Sequence, residues 1–317
     1  MKHLCRLHLQ LIAVLLLLAA PEAGAQGALP PTGAPVPTMK TLQQLWDELQ
    51  ASKTTVSALQ GQVTALQSQG KFLHYAAGWS LPWSLTTVAS AGNVGLYTSL
   101  AFGPGGQPAI SYYDNSNFDL KFARFNGSTW TITTVVSVGT VGLYTSLAFG
   151  PDGQPAISYY DSSSADLKFA RFNGITWTPS TVDSVGDVGL YTSLAFGPDG
   201  QPAISYYDNS NFDLKFARFN GSTWTPSTVD SVGNVGEYNS LAFGPDGQPS
   251  ISYYDYFNRD LKFAHFNGST WTPSTVDTTY SEGRHTSLAF GPDGQPAISY
   301  LDFTWGDLKF ARFSGST

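Results

Sequence analysis

A 47-residue tandem repeat constrains this chain more than any other feature. The sequence SLAFGP occurs five times at intervals of 47 residues, beginning at Ser99, Ser146, Ser193, Ser240 and Ser287. The copies are so similar that residues 99–129 and 193–223 differ at one position only, Gly105 against Asp199. Self-similarity at this period indicates a stack of identical supersecondary units, so the fold of one unit decides the architecture.

One repeat predicts four short strands. In the second copy these are Thr145–Phe149, Pro155–Tyr160, Asp166–Phe172 and Trp177 to about Val182, separated by Gly-Pro-Asp-Gly and Asn-Gly turns. Only 12% of the residues are charged, and the chain has 32 glycines, 20 Phe, 16 Tyr and 8 Trp, a composition that favours strands and turns over helices. Four strands in 40 to 50 residues are typical of a β-propeller blade.

The length of the array predicts five blades. From Trp83 to Thr317 the chain has 235 residues, five times 47. The fifth copy lacks its own fourth strand, and residues 83–88 match that strand in the other copies. We therefore expect an all-β, five-bladed β-propeller over residues 83–317, its ring closed by this N-terminal strand. A linear β-solenoid and a truncated gene product remain alternatives.

The N-terminus predicts secretion. Residues 1–25 contain a short basic region, an apolar stretch at Leu11–Ala20 and a small-x-small cleavage pattern before Gln26, which together are typical of a signal peptide. Cleavage would remove Cys5, the only cysteine, and with it any disulfide. The mature protein is expected to be extracellular or periplasmic, with no membrane span. An uncleaved anchor is the alternative.

Residues 26–82 predict a linker, an oligomerisation helix and a connector. Residues 26–40 are rich in proline, and residues 71–82 connect to the array. Residues 41–70 carry four heptads whose a and d positions are Leu42, Leu45, Leu49, Ser52, Val56, Leu59, Val63 and Leu66. A lone helix of this length is marginal in water, so we expect a parallel coiled coil that forms a homodimer or homotrimer. The alternative is a helix packed on its own domain.

Residues that recur in every copy predict packing and turn formation. The apolar ones are expected to form the core between blades: Leu147, Phe149, Ile157, Tyr159, Leu167, Phe169 and Trp177 in the second copy. The aspartate pair Asp161 and Asp166 is expected to cap turns and to pair with Lys168 and its equivalents. Calcium binding by these carboxylates is the alternative. We expect no cofactor and no metal.

Two known families share features with these repeats. Residues 123–130 resemble the Asp-box of sialidase-like propellers, S-x-D-x-G-x-T-W, and match it at Gly127, Thr129 and Trp130, with Ala123 and Phe125 in place of its Ser and Asp. Over residues 83–317 the layout of the blades also resembles small lectin propellers of the fucose-lectin and tachylectin type. These resemblances imply propeller architecture and glycan binding. The Arg and Glu with which fucose lectins help bind sugar have no counterpart in the matching stretches, 157–160 and 167–170.

Charge and repetition disfavour two classes of function. A net charge of −7 disfavours a nucleic-acid partner, because the phosphate backbone is itself negatively charged. Sialidase chemistry requires one asymmetric site with acids and clustered arginines, whereas the array contains only two glutamates, Glu237 and Glu282, and its repeated arginines lie on separate blades. Near-identical blades suit multivalent binding better than a single catalytic centre.

The candidate ligand-binding residues are those that depart from the repeat in the last two copies. They lie in loops expected at one end of the blades: Tyr256, Phe257, Arg259, Tyr280, Arg284, His285, Phe303 and Trp305. Aromatic faces with polar neighbours suit sugar rings or a protein patch, although loops also tolerate neutral variation. The sequence thus predicts a secreted, non-catalytic protein that recognises glycans or surface polymers. A structural surface or matrix repeat protein and a degenerate sialidase-like glycoside hydrolase are the alternatives.

Overall fold

The chain divides into two compact units, residues 1–83 and 84–317. The computed structural model describes residues 43–44, 46–47, 49–55, 57, 84–279 and 282–315. The described residues of the first unit are helical, with Trp46 and Leu49 exposed. The predicted signal peptide, linker and connector lie outside the described residues, and the coiled coil stays a prediction. In the part of the chain that the structure describes, no helix is long and apolar enough to span a membrane.

The second unit is an all-β array of five sheets. Sheet 1 contains β1 (Val94–Phe102), β2 (Pro108–Asp114), β3 (Asp119–Phe125) and β4 (Trp130–Val136). Sheet 2 contains β5 (Val141–Phe149), β6 (Pro155–Asp161), β7 (Asp166–Phe172) and β8 (Trp177–Asp183). Sheet 3 contains β9 (Val188–Phe196), β10 (Pro202–Asp208), β11 (Asp213–Phe219) and β12 (Trp224–Asp230). Sheet 4 contains β13 (Val235–Phe243), β14 (Pro249–Asp255), β15 (Asp260–Phe266) and β16 (Trp271–Asp277). Sheet 5 contains β17 (Glu282–Phe290), β18 (Pro296–Asp302) and β19 (Asp307–Arg312).

Each sheet is an antiparallel meander in chain order, and the first strands of neighbouring sheets pack side by side, as in a propeller. The five repeated sheets and their four-strand plan confirm the predicted blades. The predicted closing strand is not confirmed: among the described residues sheet 5 has three strands, and residues 84–88 form no strand. Leu308 and Phe310 of β19 are 85% and 65% exposed, whereas the equivalent Leu120 and Phe122 of sheet 1 are buried against sheet 2. Among the described residues this face of sheet 5 therefore has no sheet packed on it.

The hydrophobic core lies between the sheets. Leu120 and Phe122 of sheet 1 pack with Leu147, Ile157 and Tyr159 of sheet 2, and sheets 2, 3 and 4 repeat the arrangement. Each buried side chain of this size stabilises the fold by roughly 1.5–3 kcal/mol. The predicted roles of the recurrent apolar residues are therefore confirmed.

The aspartates that end the second strands cap the loops that follow. Asp208 accepts hydrogen bonds from the backbone N–H groups of Ser210 and Asn211, both at 3.0 Å, and from the side-chain amide of Asn211. Lys168 pairs with Asp166 at 2.7 Å, as the sequence predicts. Among the described residues, no three His, Cys, Asp or Glu side chains form a cluster suited to a metal ion.

A second set of aspartates links neighbouring sheets. Asp183, the last residue of β8, accepts hydrogen bonds from Lys215 and Tyr206 of sheet 3, both at 2.6 Å. We call this arrangement the intersheet clamp. It recurs as Asp230 with Lys262 and Tyr253, and as Asp277 with Lys309 and Tyr300. Sheet 1 has Val136 at the corresponding position, so its interface with sheet 2 forms without a clamp.

Candidate functional site

The two ends of the sheets differ in how much their loops vary. The lower end carries the Gly-Pro-Asp-Gly and Asn-Gly turns, which hardly change between copies. The upper end carries the loops between second and third strands, such as residues 256–259 and 303–306, and the connections between sheets. Consecutive antiparallel strands place these two loop types at opposite ends, so the residues that depart from the repeat collect at the upper end.

An axial row of aromatic rings lines the innermost strands. It consists of Tyr97, Tyr144, Tyr191, Tyr238 and His285, whose neighbouring ring centroids lie 4.4–4.8 Å apart. All five residues have φ between 51° and 54°, a left-handed conformation that bulky side chains rarely adopt. Such strain persists only where the surrounding structure imposes it, and it clusters at functional sites.

Local sequence explains the strain in the axial row. Each first strand is interrupted by a β-bulge, which in sheet 4 lies between Glu237 and Ser240. Gly236 precedes it with φ of 111°, a conformation for which glycine has no steric penalty. The bulge turns Tyr238 toward the row instead of leaving it in the regular alternation of a strand.

The axial row borders an open depression of about 330 Å³. Its other lining residues are Thr98, Thr145, Thr192, Asn239 and Thr286, each directly after a ring. Burial, together with the neighbouring Tyr97, raises the pKa of Tyr144 to about 12. The hydroxyl therefore stays protonated at neutral pH and can donate as well as accept. Of this row the sequence had indicated only His285 as a candidate, although the Gly-x-Tyr spacing in the first strands of sheets 1–4 was a usable signal.

A second group, the upper aromatic patch, lies on sheets 4 and 5. Tyr256 and Phe257 are 52% and 76% exposed, and Phe303 and Trp305 are 56% and 68% exposed. Asp302 fixes the second of these loops by accepting hydrogen bonds from the backbone N–H groups of Thr304 and Trp305 at 2.9 and 3.1 Å. The rings are therefore displayed on loops of defined shape.

Arg284 joins the two loops. Its guanidinium carbon lies 4.0 Å from the ring centroid of Phe303 and 5.2 Å from that of Tyr254. Tyr254 in turn contacts Tyr256 edge-on at 6.3 Å. Cation–π contacts of this kind are attractive and orient the guanidinium plane. We define the upper aromatic patch as Tyr254, Tyr256, Phe257, Arg284, Phe303 and Trp305.

The remaining candidates lie elsewhere. His285 belongs to the axial row, where its ring contacts Tyr238 at 4.4 Å. Arg259 is exposed, and its φ of 64° is close to that of Phe212, the equivalent residue in sheet 3. Its carbonyl accepts a hydrogen bond from the N–H of Glu282 at 2.8 Å. Tyr280 lies outside the described residues. The patch thus contains five of the eight predicted residues, namely Tyr256, Phe257, Arg284, Phe303 and Trp305, and adds Tyr254.

Two glutamates replace apolar residues at the upper ends of sheets 4 and 5. Glu237 stands where Leu190 stands in sheet 3, and Glu282 where Val235 stands in sheet 4. Burial raises the pKa of Glu237, an effect that the charge of Arg284 opposes. Glu282 is fully buried, one carboxylate oxygen accepts a hydrogen bond from Lys309 at 3.0 Å, and the other has no partner among the described residues.

We expect Glu282→Val to stabilise the protein by about 1–3 kcal/mol, because replacing a buried ion by an apolar residue that fits is often stabilising. Valine already packs at this position in the other sheets, and Lys309 keeps Asp277 at 2.6 Å. Urea denaturation would measure the gain, with Val235→Glu as the reciprocal control that should lose stability. A less stable Glu282→Val protein would contradict the prediction and assign the carboxylate a structural role.

Comparisons with known proteins support the fold alone. No protein-family model matches the sequence, and no curated protein sequence matches it. Among solved structures, a protein of unknown function from Dyadobacter fermentans is similar with a TM-score of 0.51 and 14% identity over 65% of this chain and 74% of that one. A Hadza microbial sialidase gives a TM-score of 0.49 and 14% identity over 70% of this chain and 57% of that one. An ulvan lyase of polysaccharide lyase family PL25 gives 0.45 and 14% over 68% of each chain.

Proposed function

We propose that this protein is a secreted, non-catalytic glycan-binding protein and that the upper aromatic patch is its binding site. The observation that carries the proposal is the set of four exposed rings on two adjacent loops, joined by Arg284, whereas the corresponding loops of sheets 1 and 3 carry one exposed Phe each and that of sheet 2 carries none. Sugar rings present apolar C–H faces to aromatic rings and hydroxyls to polar neighbours, which is the combination this surface offers.

The other sheets support this assignment by contrast. In sheet 2 the positions of Phe303, Thr304 and Trp305 are Ser162, Ser163 and Ser164, small polar residues that suit a solvated loop. Exposing four large rings in two adjacent loops costs solubility without stabilising the fold. A binding role accounts for that cost, whereas a purely structural repeat would have no use for it.

We also propose how several sites would act together. Residues 83–88 would supply the fourth strand of sheet 5, and residues 41–70 would join two or three chains in a coiled coil. Linking sites in this way raises the apparent affinity for a polymer that presents many copies of one sugar. In this view the turn that begins at Asn126, whose side chain accepts hydrogen bonds from Ser128 and Thr129 at 2.9 Å, serves the architectural purpose of an Asp-box turn.

We expect Trp305→Ala and Tyr256→Ala each to weaken glycan binding at least about tenfold, since central aromatic anchors contribute more than 1 kcal/mol each at binding sites. A glycan array on the oligomeric protein would identify a ligand, and titration calorimetry would measure its affinity. Phe212→Ala is the matched control, because Phe212 is 47% exposed in the corresponding loop of sheet 3. An array without signal, with surface adhesion unchanged in both variants, would instead support the structural alternative.

One observation favours the hydrolase alternative. Glu237 has a raised pKa and lies near Tyr191 and Tyr207, whose own pKa values its charge helps to raise. An acid of this kind can donate a proton in glycoside hydrolysis. A fluorogenic sialoside tests this alternative. If the protein released the fluorophore and Glu237→Gln abolished the release, the function of this face would be catalysis instead of binding.

A further inference from the structure

Arg284 differs from Arg171 and Arg218, two other arginines of the array that stack on rings. Arg171 lies 4.9 Å from the ring centroid of Phe196 and also forms an ion pair with Asp152 at 2.5 Å. Arg218 repeats both contacts one sheet further on. Arg284 stacks on two rings, yet among the described residues no carboxylate forms an ion pair with it. In the described part of the chain its charge is therefore held in place without an ion-pair partner.

The surroundings of Arg284 allow its charge to attract an anionic ligand more strongly than the charge of an ordinary surface arginine would. The side chain is half-buried, and its Nε is buried with no hydrogen-bond partner in the described part of the chain. Glu237 is the nearby acid, but burial raises its pKa and it forms no ion pair with Arg284 in the structure. A guanidinium that is poorly solvated and unpaired favours an incoming anion.

We propose that Arg284 binds an anionic substituent of a sugar ring, so that the ligand of the upper aromatic patch is an acidic glycan. This inference rests on the proposed function. The rings would hold the apolar face of the sugar, and Arg284 would hold its carboxylate or sulfate. Both anions present paired oxygens that match the two N–H donors along one edge of a guanidinium. Phe303 and Tyr254 fix the plane in which those donors lie.

Titration calorimetry with the full chain tests the proposal. The probes are an oligogalacturonate, a sulfated oligosaccharide and a neutral oligosaccharide of the same length. We expect at least one acidic probe to bind ten times more tightly than the neutral one, with a preference that shrinks as salt rises. Arg284→Gln should abolish the preference, and Arg284→Lys should retain only part of it, because lysine keeps the charge and loses the paired donors. Arg124→Gln is the control, since Arg124 stacks on Phe149 at 5.6 Å at the lower end, also without an ion pair.

The outcomes separate this proposal from the proposed function. Equal binding of acidic and neutral probes, or a preference that survives Arg284→Gln in a protein with unchanged melting temperature, would overturn the role of Arg284 and leave glycan binding intact. Tighter binding of polyglutamate than of every oligosaccharide would also overturn it, because the ligand would then be an acidic peptide. No signal with the three probes and none on the glycan array would contradict the proposed function itself. The comparison of uronate with sulfate identifies which anion Arg284 holds.

Discussion

Gly236→Ala is expected to destabilise the protein by about 3 kcal/mol or more. The residue has φ of 111°, and a Cβ there would lie 2.8 Å from Cα of Leu214 on the neighbouring sheet. The left-handed conformation costs an alanine about 1–2 kcal/mol, and the overlap with rigid backbone adds a similar amount for overpacking. Because Gly236 begins the bulge that orients Tyr238, the substitution should also disturb the axial row. Urea denaturation and the near-ultraviolet circular dichroism of the tyrosines would report the two effects.

Gly221→Ala separates backbone strain from the close approach. Gly221 has φ of 95° in the β11–β12 turn, and a Cβ there would meet nothing within 4 Å. This control should therefore lose only about 1 kcal/mol, the penalty for the conformation. Equal losses in the two proteins would show that the approach of β13 to Leu214 relaxes at little cost, and the prediction would then be wrong.

Periodicity was sufficient to predict the sheets but not the innermost strands. The 47-residue step, the turns and the Trp at the start of each fourth strand predicted the number of sheets and most strand boundaries. The first strand of sheet 2 was predicted from Thr145, whereas β5 begins at Val141. Gly142 and the bulge after it break the alternation that indicates a strand, while pairing with β6 continues on both sides of the bulge. A pattern read along one strand cannot show pairing that resumes after an interruption.

The site could also be predicted only in part, because contacts between strands cannot be seen along the sequence. Tyr256, Phe303 and Trp305 were visible as departures from the repeat. Tyr254 was not, because it occupies a recurrent position, and its contacts with Arg284 and Tyr256 become visible only in the fold. The axial row depends on contacts between residues 47 positions apart, such as Tyr144 with Tyr191. Which repeated side chains meet across sheets follows from the curvature of the array, and a linear sequence does not contain that curvature.

Asp230→Ala is expected to destabilise the protein by about 3 kcal/mol. The substitution removes the acceptor shared by Lys262 and by Tyr253, whose side chain is fully buried. The Tyr253 hydroxyl then loses its partner, and Lys262 keeps only the more distant Asp255 at 3.9 Å. The interface of sheets 1 and 2 forms with Val136 at this position, so loss of the clamp should not abolish the fold. The expected loss therefore reflects the groups left unpaired at one interface, and thermal denaturation of the variant would measure it.

The pH dependence of that loss distinguishes an electrostatic clamp from simple packing. Burial by itself would raise the pKa of Asp230, but the hydrogen bonds from Lys262 and Tyr253 outweigh it and lower the pKa. A carboxyl whose pKa is lower in the folded than in the unfolded state stabilises the fold above the unfolded value, near 4, and loses that contribution as the pH falls through the folded value. The difference in stability between wild type and Asp230→Ala should therefore be largest at neutral pH and shrink below about pH 4.

Asp199→Ala is the control for this prediction. It removes a 57% exposed partner of Arg218 and should cost less than about 1 kcal/mol. A loss at Asp230 that matched this control would show that the clamp contributes no more than a surface ion pair, and a larger loss that stayed constant down to pH 3 would assign the effect to packing.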